Sequence, residues 1–85
     1  MNFLHYEVDL RNDEAVRVTL DKRANVRLLD SHNFQKYRNG SEHTYYGGQA
    51  IRSPFLITAP RAGHWHVVID LGGYAGSVRA SVGVI

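Results

Sequence analysis

Two histidines in the segment HWHVVID are the residues best placed to do chemistry. His64 and His66 stand two positions apart, and on a β-strand this spacing points both imidazoles to the same face. Asp70 is also an even number of positions from His66 and is expected on that face as well. Because imidazole nitrogens and carboxylate oxygens are ligands that zinc takes in proteins, His64, His66 and Asp70 form a candidate metal site.

A single strand supplies too few neighbouring ligands for zinc, which takes three or four. His5 and Glu7 would add ligands if the first strand lay alongside. No HExxH or similar spacing supports the site. The competing interpretation places His64 and His66 on the outer face of a central strand, partly covered by neighbours and without a metal. A metal-dependent enzyme therefore stays an alternative, and we expect no cofactor.

The second group of candidate residues is aromatic and basic. The loop tyrosines fall in glycine-containing segments, where rings are often exposed and can stack on a sugar, a base or a peptide. Arginines beside them would suit an anionic ligand, nucleic acid included. The predicted ligand-binding residues are Tyr45, Tyr46, Tyr74, Arg38, Arg52 and Arg61. In this interpretation the tyrosines lie at one end of the sandwich. The competing interpretation is that they only cover its open ends.

The motifs of common catalytic sites are missing from the sequence. There is no cysteine and no GxSxG elbow, and Asp70 is the only acidic residue after Glu42. The run Gly72–Gly76 resembles a phosphate-binding loop, but such loops lead into a helix N-terminus and this one leads into a predicted strand. We predict no catalytic residues and no enzymatic activity.

Alternation of apolar and polar residues predicts the strands that position these side chains. Five residues at 72–76 are expected to form a hairpin loop between the last two strands, and an irregular strand is expected around Gly47-Gly48. The clear alternating segments are 4–10, 15–21, 25–29, 55–59, 64–71 and 77–84. About seven short strands predict an all-β fold, a small antiparallel two-layer β-sandwich of jelly-roll-like type.

The segment DSHNFQKYRNG breaks this alternation and predicts one short helical turn near 31–38. Asp30 or Ser31 could cap its first turn. Phe34 and Tyr37 are three positions apart and could face the core together. Asn39-Gly40 is a stop signal. With 85 residues, the chain is predicted to form a single domain over 1–85.

Composition limits the class of protein and its surroundings. The absence of cysteine excludes disulfides and thiolate metal sites, and it is typical of a reducing cytoplasm. No apolar stretch approaches the ~18 residues of a membrane span, and the first residues do not resemble a signal peptide. We expect a soluble, cytoplasmic protein with no membrane partner. A basic excess over 15–61 could steer an anionic partner.

Two long segments, HWHVVIDLGGYAGSVRASV and ANVRLLDSHNFQKYRNG, together with the YYGG between them, resemble a bacterial family of domains of unknown function, number eighteen-eighty-three. The resemblance runs nearly end to end, from NFLHYEVDL to VGVI. It implies a small β-sandwich found alone or joined to other domains, TIR-type signalling domains among them. It carries over no catalytic residues.

The sequence therefore favours a non-catalytic binding or interaction module, with accessory sensing as one form of that role. The alternative is a structural unit that self-associates or docks onto another domain. In that case an exposed edge strand such as 77–84 would pair with the partner. The expected partners are an anionic ligand, another protein or domain, or further copies of the chain.

Overall fold

Alternating apolar residues build two antiparallel sheets in the computed structural model, which describes residues 3–85. Within this range one sheet has four strands in the order β1-β6-β3-β4, and the other has three in the order β5-β2-β7. The elements are β1 (Leu4–Leu10), β2 (Ala15–Leu20), β3 (Ala24–Leu29), α1 (Ser31–Arg38), β4 (Tyr46–Ala50), β5 (Phe55–Thr58), β6 (Gly63–Asp70) and β7 (Ala80–Val84). The predicted all-β sandwich is confirmed.

The core lies between the two sheets, as the period-2 pattern requires. The three-stranded sheet contributes Val16, Val18 and Ile57, all buried. The four-stranded sheet contributes every second residue of its central strands, namely Val26, Leu28, Trp65, Val67 and Ile69. Removal of this apolar surface from water is the main stabilising contribution to the fold.

The helix α1 covers the outer face of the four-stranded sheet. Asp30 is its N-cap, since its carboxylate accepts a hydrogen bond from the backbone N–H of Asn33 at 2.8 Å, as predicted. Phe34 and Tyr37 are buried in a second apolar cluster with Leu29 and Val68. As a result β6, the strand that carries the histidines, is packed on both faces. No helix among residues 3–85 has the length and hydrophobicity needed to cross a bilayer.

The last two strands do not form the predicted hairpin. β6 lies in the four-stranded sheet and β7 in the three-stranded sheet, so the chain between them crosses from one layer to the other. The connection runs over 71–79, and β7 begins at Ala80 instead of residue 77. Positive φ angles at Gly72 (66°) and Gly73 (90°) turn the chain at this crossing, since glycine adopts them without steric cost. Among residues 3–85, β7 pairs only with β2 and is an edge strand, as predicted.

Candidate functional site

Polar side chains of β1 and β6 share the outer face of the four-stranded sheet, beside α1. The two strands are antiparallel neighbours, with Glu7 opposite His66 and Asp9 opposite His64. The condition under which His5 and Glu7 would join the histidines, a first strand lying alongside, is therefore met. We call the group that these strands present the histidine face; it consists of His5, Glu7, Asp9, His64 and His66.

His64 joins two carboxylates at the exposed side of the histidine face. Its Nδ1 lies 2.7 Å from Asp9 Oδ1, and its Nε2 lies 2.9 Å from Glu7 Oε1. The hydrogen bond with Asp9, followed by that with Glu7, raises the pKa of His64. The hydrogen bond with His64 in turn lowers the pKa of Glu7. Both nitrogens of His64 are thus held by oxygens across the strand pair.

His66 occupies the covered side of the same face and is 7% exposed. Its Nδ1 lies 2.8 Å from His5 Nε2, and its Nε2 lies 3.0 Å from Ser31 Oγ at the start of α1. Its ring stacks parallel to Phe34, with the centroids 4.5 Å apart. Burial lowers the pKa of His66, and the nearby His5 acts in the same direction. The imidazole is therefore fixed in orientation and favours its neutral form.

Three groups of the histidine face come close enough to share a metal ion. One oxygen of Glu7, one nitrogen of His64 and one nitrogen of His66 all lie within 4.8 Å of one another. Two members of this group, His64 and His66, were predicted from their spacing. Glu7 was predicted only on condition that β1 lay alongside. The arrangement gives two nitrogen donors and one oxygen donor, a set that suits zinc.

Asp70, the third predicted metal ligand, does not belong to this group. Its Oδ2 accepts hydrogen bonds from Arg27 Nη1 at 2.5 Å and from the Tyr37 hydroxyl at 2.6 Å. Its Oδ1 accepts from Asn25 Nδ2 at 3.0 Å and from the Gly72 N–H at 2.9 Å. We call these five residues the Asp70 network. Four donors already satisfy the carboxylate, so it serves to join α1, β3, β6 and the loop 71–79.

The electrostatics of the Asp70 network follow from burial and hydrogen bonding. Burial alone would raise the pKa of Asp70, which is 4% exposed. The bonds from Tyr37, Asn25 and Gly72 and the charge of Arg27 hold it below its ordinary value instead. Burial and the bond to Asp70 raise the pKa of Tyr37. The network is therefore an ionised carboxylate held by a neutral phenol and a cation.

A second candidate site lies where the turn between β2 and β3 meets two other loops. We call it the basic end and define it by Lys22, Arg23, Arg52 and Tyr74. A recess of about 170 Å³ is lined by Lys22, Arg23 and Arg52. A larger recess of about 640 Å³ is lined by Lys22, Arg23 and Tyr74. The two recesses therefore lie on either side of one basic turn.

The six predicted ligand-binding residues do not meet at one end of the sandwich. Tyr46 begins β4 opposite Leu28, whereas Tyr74 follows Asp70, which is opposite Asn25. Leu28 and Asn25 are near opposite ends of β3. The expectation that the tyrosines share one end is therefore wrong, because the loop 71–79 and the segment before β4 meet the four-stranded sheet at opposite ends of its strands.

Four of the six predicted residues contact neighbours away from the basic end. Arg61 pairs with Asp30 at 3.2 Å and stacks on the Trp65 ring at 4.8 Å, and the Tyr46 ring meets that of Trp65 edge-on. The remaining contacts are those of Tyr45 under the guanidinium of Arg27 and of Arg38 with Gln35. Of the predicted set, only Arg52 and Tyr74 lie at the basic end.

Two residues of the basic end were not predicted from the sequence. Lys22 and Arg23 stand in a short polar turn, and basic turn residues are usually only solvated. The sequence signal that could have found them is their place between two predicted strands. That place sets them at the end of the sandwich where β2 finishes and β3 begins.

The family model described as Domain of unknown function (DUF1883) matches residues 1–85, the whole of the chain. The resemblance drawn from the sequence is thereby confirmed. The association with TIR-type domains that the resemblance implies stays a prediction, since the match concerns this domain alone. No curated protein and no solved structure matches the chain.

Proposed function

The chain belongs to the DUF1883 family, and we propose that it is a non-catalytic binding module that takes up an anionic, ring-bearing ligand at its basic end. The observation that carries this proposal is the position of the turn formed by Lys22 and Arg23. Both cations line both recesses, so a ligand in either one would lie against positive charge. Arg52 adds a guanidinium to the smaller recess and Tyr74 a ring to the larger.

The charge balance at the basic end favours an anion. Lys22, Arg23 and Arg52 are all exposed. Asp21, the acidic residue of the same turn, also lines the smaller recess, but its carboxylate accepts a hydrogen bond from the backbone N–H of Arg79 at 2.9 Å, at the end of the loop 71–79. Clustered positive charge raises the local concentration of anions. Arginine and lysine together suit phosphate, arginine through paired N–H groups and lysine as a point charge.

The ring of Tyr74 is the feature that distinguishes this ligand from a simple anion. It is 84% exposed and follows two glycines, so little of the protein covers it. Stacking of a base on an exposed aromatic ring contributes roughly 1–3 kcal/mol. Gln49, on the wall of the same recess, offers an amide for polar contacts. Phosphate and a flat ring together describe a nucleotide, either free or within a single strand of nucleic acid.

The non-catalytic part of the proposal is supported by the chemistry of the two recesses and of the histidine face. Among the described residues that line the recesses, Asp21 is the only carboxylate and there is no histidine. Ser31, His66 and His5 form a hydrogen-bonded row in the order nucleophile, base and orienting group. However, the group that orients His66 is the imidazole of His5 and not a carboxylate, and burial lowers the pKa of His66, which disfavours its protonated form.

An amide NMR titration of the isotope-labelled protein tests the proposal. The probes are ATP, an oligothymidylate, inorganic pyrophosphate and a neutral disaccharide. We expect saturable shifts at Lys22, Arg23, Arg52 and Tyr74 with ATP or with the oligonucleotide, and none with the disaccharide. Saturable shifts with ATP but not with the oligonucleotide would identify a free nucleotide as the ligand. Tighter binding of the oligonucleotide would identify single-stranded nucleic acid.

Two outcomes of this titration would contradict the proposal. Equal affinity for pyrophosphate and ATP, with no shift at Tyr74, would show that the protein binds the phosphate groups and does not recognise the base. No shift with any probe would remove the ligand-binding role altogether. The assembly role would then be favoured, through the free edge of β7, and a solution mass that rises with protein concentration would support it.

A further inference from the structure

We propose that Glu7, His64 and His66 bind a divalent transition-metal ion with the preferences of zinc on the histidine face, independently of the basic end. The three side chains come from paired strands, with Glu7 directly opposite His66. Their ligand atoms lie within 4.8 Å of one another. Because β1 and β6 are joined along seven residue pairs, the three Cα positions are fixed by the sheet.

His64 is oriented in the way that metal-binding histidines are. A ligating imidazole usually donates its other ring N–H to a carboxylate or carbonyl oxygen, which fixes the tautomer and the ring. Here Asp9 Oδ1 lies 2.7 Å from Nδ1 of His64. Nε2 is left for the metal, and it faces Glu7 Oε1 at 2.9 Å. A ring nitrogen and a carboxylate oxygen thus converge on one point.

His66 is oriented by a second oxygen and by packing. Ser31 Oγ lies 3.0 Å from Nε2 of His66, which leaves Nδ1 as the nitrogen available to a metal. The parallel stack with Phe34 prevents the ring from turning away. The neighbour of Nδ1 is His5 Nε2, 2.8 Å away. The His5 ring stacks on Phe34 with the centroids 4.2 Å apart, so the exposed His5 side chain has to leave this stack and turn outward when a metal takes its place.

The donor set and the exposure of the site define the class of ion. Two imidazole nitrogens and one carboxylate oxygen favour zinc and its first-row neighbours over calcium and magnesium, which prefer oxygen. Tetrahedral zinc with bond lengths of about 2.0–2.2 Å requires the three ligand atoms to lie closer together than the 4.8 Å that bounds their separations here. Side-chain rotation of the exposed Glu7 and His64 supplies that adjustment. Both side chains border solvent, so water fills the fourth position.

The experiment is a zinc titration of the chelator-treated protein by isothermal calorimetry, with the histidine ring nitrogens followed by NMR. We expect one zinc per chain, a raised midpoint of thermal unfolding, since binding to the folded state alone stabilises it, and the largest shifts at His64 Nε2 and His66 Nδ1. The variants His64→Ala and Glu7→Gln should each weaken binding at least about tenfold. Asp9→Asn should weaken it about 10–100-fold by releasing the ligand orientation.

The matched control is His32→Ala, which removes an exposed histidine of α1 that lies outside the histidine face. It should leave the zinc affinity unchanged. Equal loss in His32→Ala and His64→Ala would show scattered surface binding and overturn the proposal. An unchanged unfolding midpoint at high zinc would do the same. His64 is exposed, so folding of its variant is expected, and far-UV circular dichroism checks it.

Discussion

The hydroxyl of Tyr37 donates a hydrogen bond to the carboxylate of Asp70 at 2.6 Å, and this contact fastens α1 to β6, one of the two central strands of the four-stranded sheet. Tyr37 is buried on the outer face of that sheet, where Arg27 approaches both its ring and the same carboxylate. The helix is therefore held by a buried polar contact as well as by apolar packing. Removal of one member would leave the others half-satisfied, which is costly in a buried polar network, so its members should be sensitive to substitution.

Replacement of Asp70 by asparagine should lower the free energy of unfolding by about 3 kcal/mol, the scale for breaking a partly buried ion pair. The loss arises because Arg27 keeps its charge without its partner. Urea unfolding measures the change, with Asp21→Asn at the surface as the matched control. Zinc affinity should be unaffected by Asp70→Asn. A loss of zinc binding without a loss of stability would show instead that Asp70 is a metal ligand.

The stability supplied by the Asp70 network should depend on pH in one direction. The pKa of Asp70 is lower in the folded protein than its ordinary value, which is about 3.9 in an unfolded chain. The contribution is therefore complete above that unfolded value and is lost as the pH falls through the folded pKa. Unfolding of the native chain and of Asp70→Asn should be compared at neutral and acid pH. Their difference should shrink below about pH 4; a difference that grew there would contradict the assignment.

The cap of α1 should contribute measurably to stability. Asp30→Ala removes the oxygen that accepts the backbone N–H of Asn33, at a cost of about 1 kcal/mol. Asp30→Asn is the control, because its amide oxygen keeps the cap while the charge that pairs with Arg61 is lost. Thermal unfolding followed by circular dichroism compares the two. Equal losses in both variants would assign the effect to the ion pair and not to the cap.

Gly47 should be intolerant of any side chain. Its φ is 114°, and a Cβ there would overlap the backbone carbonyl oxygen of Val26. Gly47→Ala is therefore expected to cost more than about 1 kcal/mol, the scale of strain in a rarely populated backbone region. Gly83→Ala is the matched control, since that strand glycine has ordinary φ and open space around it. Similar stabilities of the two variants in urea would contradict the close approach of β3 and β4.

Local patterns in the sequence predict the strands and the helix but not which elements lie together. Alternation places His64, His66 and Asp70 on one face, and the structure agrees. The partners of Asp70 come from distant elements, for example Arg27 and Tyr37 at separations of 43 and 33 residues. No short-range spacing indicates that Asp70 is occupied by these donors and not by a metal.

The basic end likewise could not be predicted from local patterns in the sequence. Lys22, Arg52 and Tyr74 come from three different loops, and only the strand order brings those loops to one end. The predicted hairpin at 72–76 failed because alternation gives the face of a strand and not its pairing partner. The sequences of β6 and β7 both alternate apolar and polar residues. Two strands paired in one sheet and two strands in opposite sheets both produce this alternation, so it does not distinguish the two arrangements.

The affinity of a double charge-reversal variant tests the central claim most directly. Lys22→Glu with Arg23→Glu should be compared with Lys36→Glu and Arg38→Glu, which change the net charge equally on the exposed side of α1. Binding of ATP and of the oligothymidylate is measured at low and at physiological salt. We predict that the Lys22 and Arg23 variant loses at least about tenfold in affinity and most of its salt dependence, while the α1 variant stays within about threefold of the native chain. Equal losses in both variants, or native affinity in the Lys22 and Arg23 variant, would contradict the basic end as the binding site.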